Sequence, residues 1–318
     1  VSGDITYLQS VVIGLLQGAT ELFPVSSLGH SVLVPALIGG SWQHLVTESA
    51  TSSSEQSPYL AFIVALHVAT ALALLWFFRR DWVRIIQGFF RTLKTRKVET
   101  SDERLAWLIV VATIPVGVTG LLLEHTFRTL FAKPLAAAIF LTMNGAILLA
   151  GERLRKRSET TALEPAPVLA HAEGASAASG RPGMAAARSR KLTTLAYRES
   201  FVIGLFQTLA LLAGISRSGI TMVAGLLRGL DHEDAARFSF LLATPVILAA
   251  GVLKLPTLAG SAGAHIHGQV IVGMLTAGVA AYLTVRFLTR YFETRTLTPF
   301  AIYCLVAGAL CTIRFAVG

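Results

Sequence analysis

Charged residues make up only 14% of this 318-residue chain, where ordinary soluble domains carry about a quarter. So little charge excludes the solvated surface of a water-soluble globule. Cysteine occurs twice, at Cys304 and Cys311 in one apolar run, which leaves no disulfide framework and no thiolate metal centre to build on. Seven residues apart, the pair reads as small thiols on one helical face. Acidic residues are fewer than basic ones, 18 against 27, for a net charge of +9. That excess is not interleaved with aromatics, which are 8% of the chain, so nucleic acid is excluded as a partner. The opening VSGDITYLQS lacks a basic n-region and a small-residue cleavage site. The first apolar run is therefore expected to belong to the mature fold.

Apolar sequence is abundant: 53% of the residues are hydrophobic and the mean hydropathy is +0.64. Runs long enough to cross a bilayer occupy about 60–78, 105–124, 134–151, 237–255, 269–288 and 299–316. The basic residues flank these runs. Eight Lys and Arg fall in 79–104 and nine in 152–200, while 39–59 and 256–268 contain none. Placing the basic segments in the cytoplasm satisfies the positive-inside rule. The stretch 158–187, rich in Ala, Ser, Gly, Pro and Glu, reads as a flexible cytoplasmic linker, and 39–59 as a polar loop on the opposite face.

Two further apolar segments are interrupted halfway and resemble one another. Residues 11–31, VVIGLLQGATELFPVSSLGHS, and 201–221, FVIGLFQTLALLAGISRSGIT, align without gaps. They share eight identities, at 12/202, 13/203, 14/204, 15/205, 17/207, 22/212, 26/216 and 29/219. The interruptions free backbone groups that lipid cannot satisfy, so each segment is expected to enter and leave on one side as a re-entrant helical hairpin, about 11–38 and 201–228. One hairpin followed by three crossings in each half inverts the second half relative to the first. The expected fold is an all-α polytopic membrane protein with an inverted-topology repeat, six transmembrane helices and two re-entrant hairpins. Its parts are a first repeat over 1–157, a linker over 158–190 and a second repeat over 191–318. Gly273, Ala277 and Ala281 permit close helix contact, which leaves a homodimer open.

The copies differ in their chemistry. The first carries Glu21, Ser27 and His30; the second has Leu211, Arg217 and Ile220 at those places. After each break a helix starts at serine, so two helix N-termini facing each other would form an anion pocket to which Arg217 adds a fork suited to phosphate. An Arg inside an apolar segment costs roughly 2.5–3.5 kcal/mol on insertion scales, which points to an anionic partner. Ser27 and His30, three residues apart, share a helical face and read as nucleophile and acid/base partner, with His30 as the alternative nucleophile. Glu21 can orient His30, deprotonate Ser27 or bind a divalent cation. Ser26, Ser216, Ser218, Thr221 and Gly219 are candidates for binding phosphate oxygens, and the amides Gln17 and Gln207 for supporting them. The plainer reading makes Ser26 and Ser216 simple caps and Glu21–Arg217 a structural ion pair. His67, in mid-span, reads as a packing or cavity-lining group.

The motif QGATELFPVSSLGH closely resembles the first signature of the bacterial undecaprenyl-diphosphate phosphatases, membrane enzymes linked to bacitracin resistance. The stretch GISRSGIT, residues 214–221, resembles their second, and FSFLLATPV follows as in that family. Ala213 stands where the family usually has Pro, Leu28 replaces a common Thr, and Gln17 fills a position often held by Glu. The resemblance implies hydrolysis of undecaprenyl diphosphate to the monophosphate in the bacterial inner membrane, recycling the carrier for cell-wall synthesis. It further implies a site opening to the periplasm, a divalent cation such as Mg2+ or Ca2+, and bacitracin acting indirectly by binding the lipid substrate. The rival from another class is a transporter or flippase of polyprenyl phosphates, since broken inverted repeats also suit translocation. The Ser27–His30 pair is what transport alone would not require.

Overall fold

A computed structural model describes residues 5–51, 58–131, 133–163, 190–259 and 266–317, and these are almost entirely α-helical. Helix α1 (Tyr7–Thr20) opens on a capping box: the Thr6 hydroxyl accepts from the Gln9 N–H while the Gln9 side chain accepts from the Thr6 N–H. The helix stops short of Pro24, which lacks an N–H and disfavours helix at the residue before it. Helix α2 (Ser27–Ile38) starts after this break and ends at Gly39 and Gly40, both with positive φ. The chain then forms α3 (Gly40–Thr51), α4 (Pro58–Phe77), α5 (Arg79–Thr95), α6 (Ser101–Phe131) and α7 (Pro134–Leu163). The second half has a similar break but, among the described residues, no counterparts of α3 and α5. Helix α8 (Tyr197–Thr208) and a 3₁₀ turn lead to a break, followed by α9 (Arg217–Leu226), α10 (His232–Ala259), α11 (His267–Tyr291) and α12 (Thr298–Val317).

Among the described residues five helices are long and apolar enough to cross a membrane: α6, α7, α10, α11 and α12. Helix α4 makes a sixth candidate when paired with α5, from which it is bent by 86°. This is an all-α, multi-pass membrane fold. Its outer surfaces are apolar: Ile271, Leu275, Val279 and Leu283 stand exposed along α11, four residues apart, while Gly273, Ala277 and Ala281 face inward. Helix α5 exposes Val83, Ile86, Phe90 and Leu93 beside its basic residues, the pattern of a helix lying in a membrane interface. Arg237 donates to Asp81 at 2.7 Å and ties α5 to the start of α10.

Two expectations are corrected, and a third is met within the chain. Residues 40–51 form a helix rather than a polar loop, because Trp42 and Leu45 anchor its first turns against the core. Helix α7 runs on to Leu163, so the expected linker does not begin at 158, and its residues 164–187 lie outside the described ones. The close helix contact that Gly273, Ala277 and Ala281 permit is made inside the chain. They seat α11 against α1 and α4 within the chain, with a Cβ at Gly273 falling 2.6 Å from the Phe62 ring.

The two halves exchange their first helices: α1 packs on α11, and α8 packs on α6, while α4 meets α10 and α7 meets α12. Gly14 and Gly204, identical in the aligned segments, make these approaches possible. A Cβ at Gly14 would lie 2.6 Å from the Gly273 carbonyl oxygen, and one at Gly204 would lie 2.9 Å from the Ala112 carbonyl carbon. Gly14→Ala and Gly204→Ala are each expected to lower stability in detergent by about 1–3 kcal/mol, because the backbones must part. Gly117→Ala, which meets nothing within 4 Å, should be neutral or slightly stabilising, and thermal unfolding of the three variants checks this.

Candidate active site

The breaks in the two hairpin-like segments meet inside the fold and satisfy each other. Ser26 holds φ 69°, a strained value for a residue with a side chain, and caps α2 by accepting from the Gly29 N–H at 3.2 Å. The same Oγ accepts from the Gly214 N–H at 3.1 Å, so it caps the opposite tip as well. Ser216 caps α9 through the Gly219 N–H at 3.2 Å, and Ser218 donates to the Phe23 carbonyl at 3.2 Å. Asn144 of α7 completes the junction. Its Nδ2 donates to the Pro24 carbonyl and its Oδ1 accepts from the Ser216 N–H, both at 3.0 Å. Gly214 has φ +112°, open to glycine alone in practice, and packs where a Cβ at Gly29 would touch its Cα at 3.0 Å.

This junction positions the charged groups. Glu21, one residue beyond α1, is buried and pairs through Oε1 with the Arg217 guanidinium at the start of α9. Arg217 also donates from Nη1 to the Ala243 carbonyl at 3.0 Å. The other carboxylate oxygen, Oε2, accepts from the Ser27 hydroxyl at 2.5 Å and from Gln17 Nε2 at 2.9 Å. His67 of α4 stands 3.3 Å from that oxygen through Nε2, while its Nδ1 meets the Ile63 carbonyl at 2.8 Å. A buried carboxylate needs such partners, since an unpaired charge in an apolar interior costs several kcal/mol.

A cavity of about 330 Å³ opens over this cluster. Its floor holds Glu21, Ser26, Ser27, His67, Gln207, Ser216 and Arg217, and its walls include Ile63, Val116, Val246 and Ile247. A charged, hydrogen-bonding floor below apolar walls suits a ligand with an anionic head and a hydrocarbon tail.

Several residues singled out in the sequence sit elsewhere. The Ser27–His30 pair is not formed. His30 Nδ1 contacts the Ser26 carbonyl and Nε2 the Tyr303 hydroxyl, both at 2.7 Å, so both nitrogens are engaged away from Ser27. Ser218 and Thr221 are also engaged structurally: Thr221 donates to the Arg217 carbonyl at 2.7 Å and lies 2.6 Å from the Ser239 hydroxyl. Neither they nor Gly219 line the cavity, and a Cβ at Gly219 would meet Pro24 at 3.2 Å. His67 does line the cavity, as read from the sequence, but its contact with Glu21 was not foreseen. Asn144 was missed altogether. The signal was there in a polar amide midway along an apolar span, which must find partners. Nothing in the sequence singles out Tyr303.

The profile described as "Bacitracin resistance protein BacA" matches residues 10–310. The chain belongs to the BacA family. BacA-type relatives named undecaprenyl-diphosphatase match it from end to end. One from Frankia alni, "Undecaprenyl-diphosphatase 2", is 69% identical over 99% of both chains. One from Mycolicibacterium paratuberculosis is 58% identical over 99% of both, and one from Burkholderia orbicola 43% identical over 95% of this chain and 94% of its own. In this BacA-family chain the cluster brings together a hydroxyl, a carboxylate that accepts its hydrogen bond, and an Arg fork.

Asn144 joins both tips from α7. Asn144→Ala leaves the Ser216 N–H without a partner and the Pro24 carbonyl with only the Cys304 thiol at 3.8 Å, and is expected to cost roughly 2–4 kcal/mol of stability. Thermal unfolding checks the cost, and unchanged stability would remove the bridging role.

Proposed function

We propose that this chain is a membrane-embedded phosphatase that hydrolyses undecaprenyl diphosphate to undecaprenyl phosphate and inorganic phosphate. Such a reaction returns the lipid carrier to cell-wall synthesis and confers resistance to bacitracin, which binds the diphosphate. The observation that carries this reading is the 2.5 Å hydrogen bond from Ser27 to Glu21, at the polar floor of a cavity with apolar walls. Ser27 attacks the terminal phosphorus as Glu21 accepts its proton. Arg217 and the N-terminal N–H groups of α2 and α9 face the phosphoryl oxygens, and the monophosphate leaves as a stable anion. His30 serves the tip, holding the Ser26 carbonyl. Transport of the same lipid would need the anion pocket but not a serine aimed at a carboxylate.

The topology belongs to the same proposal. Two inverted repeats, 1–157 and 191–318, each with a re-entrant hairpin and three crossings, are supported by the exchanged packing of α1 on α11 and α8 on α6. The basic segments 79–104 and 152–200 support a cytoplasmic placement for the connecting ends, with the cavity opening to the periplasm.

A divalent cation is part of the proposal in a restricted form. No group of three or more His, Cys, Asp and Glu that could hold a metal occurs among the described residues, and Glu21 is the one carboxylate lining the cavity. This donor set fits Mg2+ or Ca2+ shared with substrate phosphates rather than caged by protein, with Glu21 as its protein ligand. When bound, the ion would neutralise charge on the diphosphate.

Phosphate release from undecaprenyl diphosphate by purified protein in detergent tests the reading. Wild type should turn over, Ser27→Ala should not, and Glu21→Gln should lower kcat by roughly 10²–10⁴-fold at equal folding. EDTA should lower the rate if the cation is used. Full activity of Ser27→Ala would remove the assigned nucleophile.

A further inference from the structure

Gln207 has no task in the mechanism above. It lies on the last turn of α8, is 1% exposed and lines the cavity. Neither Oε1 nor Nε2 has a partner among the described residues. Buried amides are almost always hydrogen-bonded, so one left unpartnered beside a cavity points to something that binds it there. Its counterpart Gln17 donates to Glu21 at 2.9 Å. In the second repeat Leu211 occupies the place of Glu21, so that internal acceptor is absent.

The amide presents a donor and an acceptor side by side. A phosphoryl oxygen can only accept, and would leave Oε1 open. Water both donates and accepts, and the cavity that Gln207 shares with Ser27 has room for it. We propose that Gln207 holds the water that hydrolyses a phosphoryl-Ser27 intermediate, an inference that rests on the phosphatase reading with Ser27 as nucleophile. In the first step the Ser27 oxygen bonds to phosphorus, the bridging P–O bond breaks, and Glu21 takes the serine proton. In the second, the oxygen of the water on Gln207 bonds to phosphorus and the P–Oγ bond breaks. Glu21 returns its proton to the departing Oγ, and both water protons leave on dihydrogen phosphate. Gln207 orients the water and takes no proton.

Rapid quench with undecaprenyl diphosphate labelled on its terminal phosphorus tests this, comparing wild type with Gln207→Met. The substitution keeps the volume and removes the open amide, so its melting temperature should equal or exceed that of wild type. It should release undecaprenyl phosphate in a burst of one per enzyme, accumulate acid-stable label on Ser27, and free inorganic phosphate at least about tenfold more slowly. Unchanged turnover, equal slowing of both products without label on the protein, or a fall in melting temperature would each overturn the water-holding role. A wild type that releases no phosphate at all would instead bring down the phosphatase reading, and this inference with it.

Discussion

Two helices are broken in the middle of an apolar protein, and the backbone groups freed by each break must find partners. Much of the centre of this structure answers that requirement. The Ser26 hydroxyl reaches across to the Gly214 N–H, Ser218 reaches back to the Phe23 carbonyl, and Asn144 bridges Pro24 to Ser216. Lipid offers none of these bonds, so the tips are held together by the absence of alternatives as much as by their contacts. Gly29, Gly214 and Gly219 let the backbones come close enough for the exchange.

Holding the tips together also sets the chemistry. The identical positions of the repeat, Ser26 and Ser216, Gly29 and Gly219, build the junction, and the positions that differ face each other across it. Glu21 comes from one copy and Arg217 from the other, and each neutralises a charge the other could not bear alone in this setting. Ser27 sits beside the pair with its hydroxyl already on the carboxylate. In the proposed reaction an anionic headgroup entering the cavity takes the Arg217 guanidinium from Glu21 and lies beside two helix N-termini.

The helical architecture was legible because apolar runs of spanning length and basic flanks leave strong marks, and the runs at 60–78, 269–288 and 299–316 coincide closely with α4, α11 and α12. The breaks were legible for a similar reason, since Pro24 and Gly214 interrupt apolar sequence. What spacing could not supply was the direction of a side chain at a strained start. Ser27 and His30 share a helical face by count, yet the turn at Ser26 sends the serine to Glu21 and the imidazole to the Ser26 carbonyl and Tyr303. Contacts made from distant helices were equally hidden: His67 and Asn144 show in the sequence only as polar residues within apolar runs. Residues 40–51 misled because their polar composition masks two apolar anchors, Trp42 and Leu45.

The proposed reaction requires one phosphoryl group between the two tips, with Ser27 on one side and Arg217 on the other. An experimental structure with a non-hydrolysable, methylene-bridged prenyl diphosphate tests it most directly. The terminal phosphorus is expected about 3–3.5 Å from the Ser27 oxygen with the Arg217 fork on its oxygens, and the prenyl chain leaving between Ile63, Val116 and Val246. A diphosphate bound elsewhere, with Glu21, Ser27 and Arg217 still closed on one another, would contradict it.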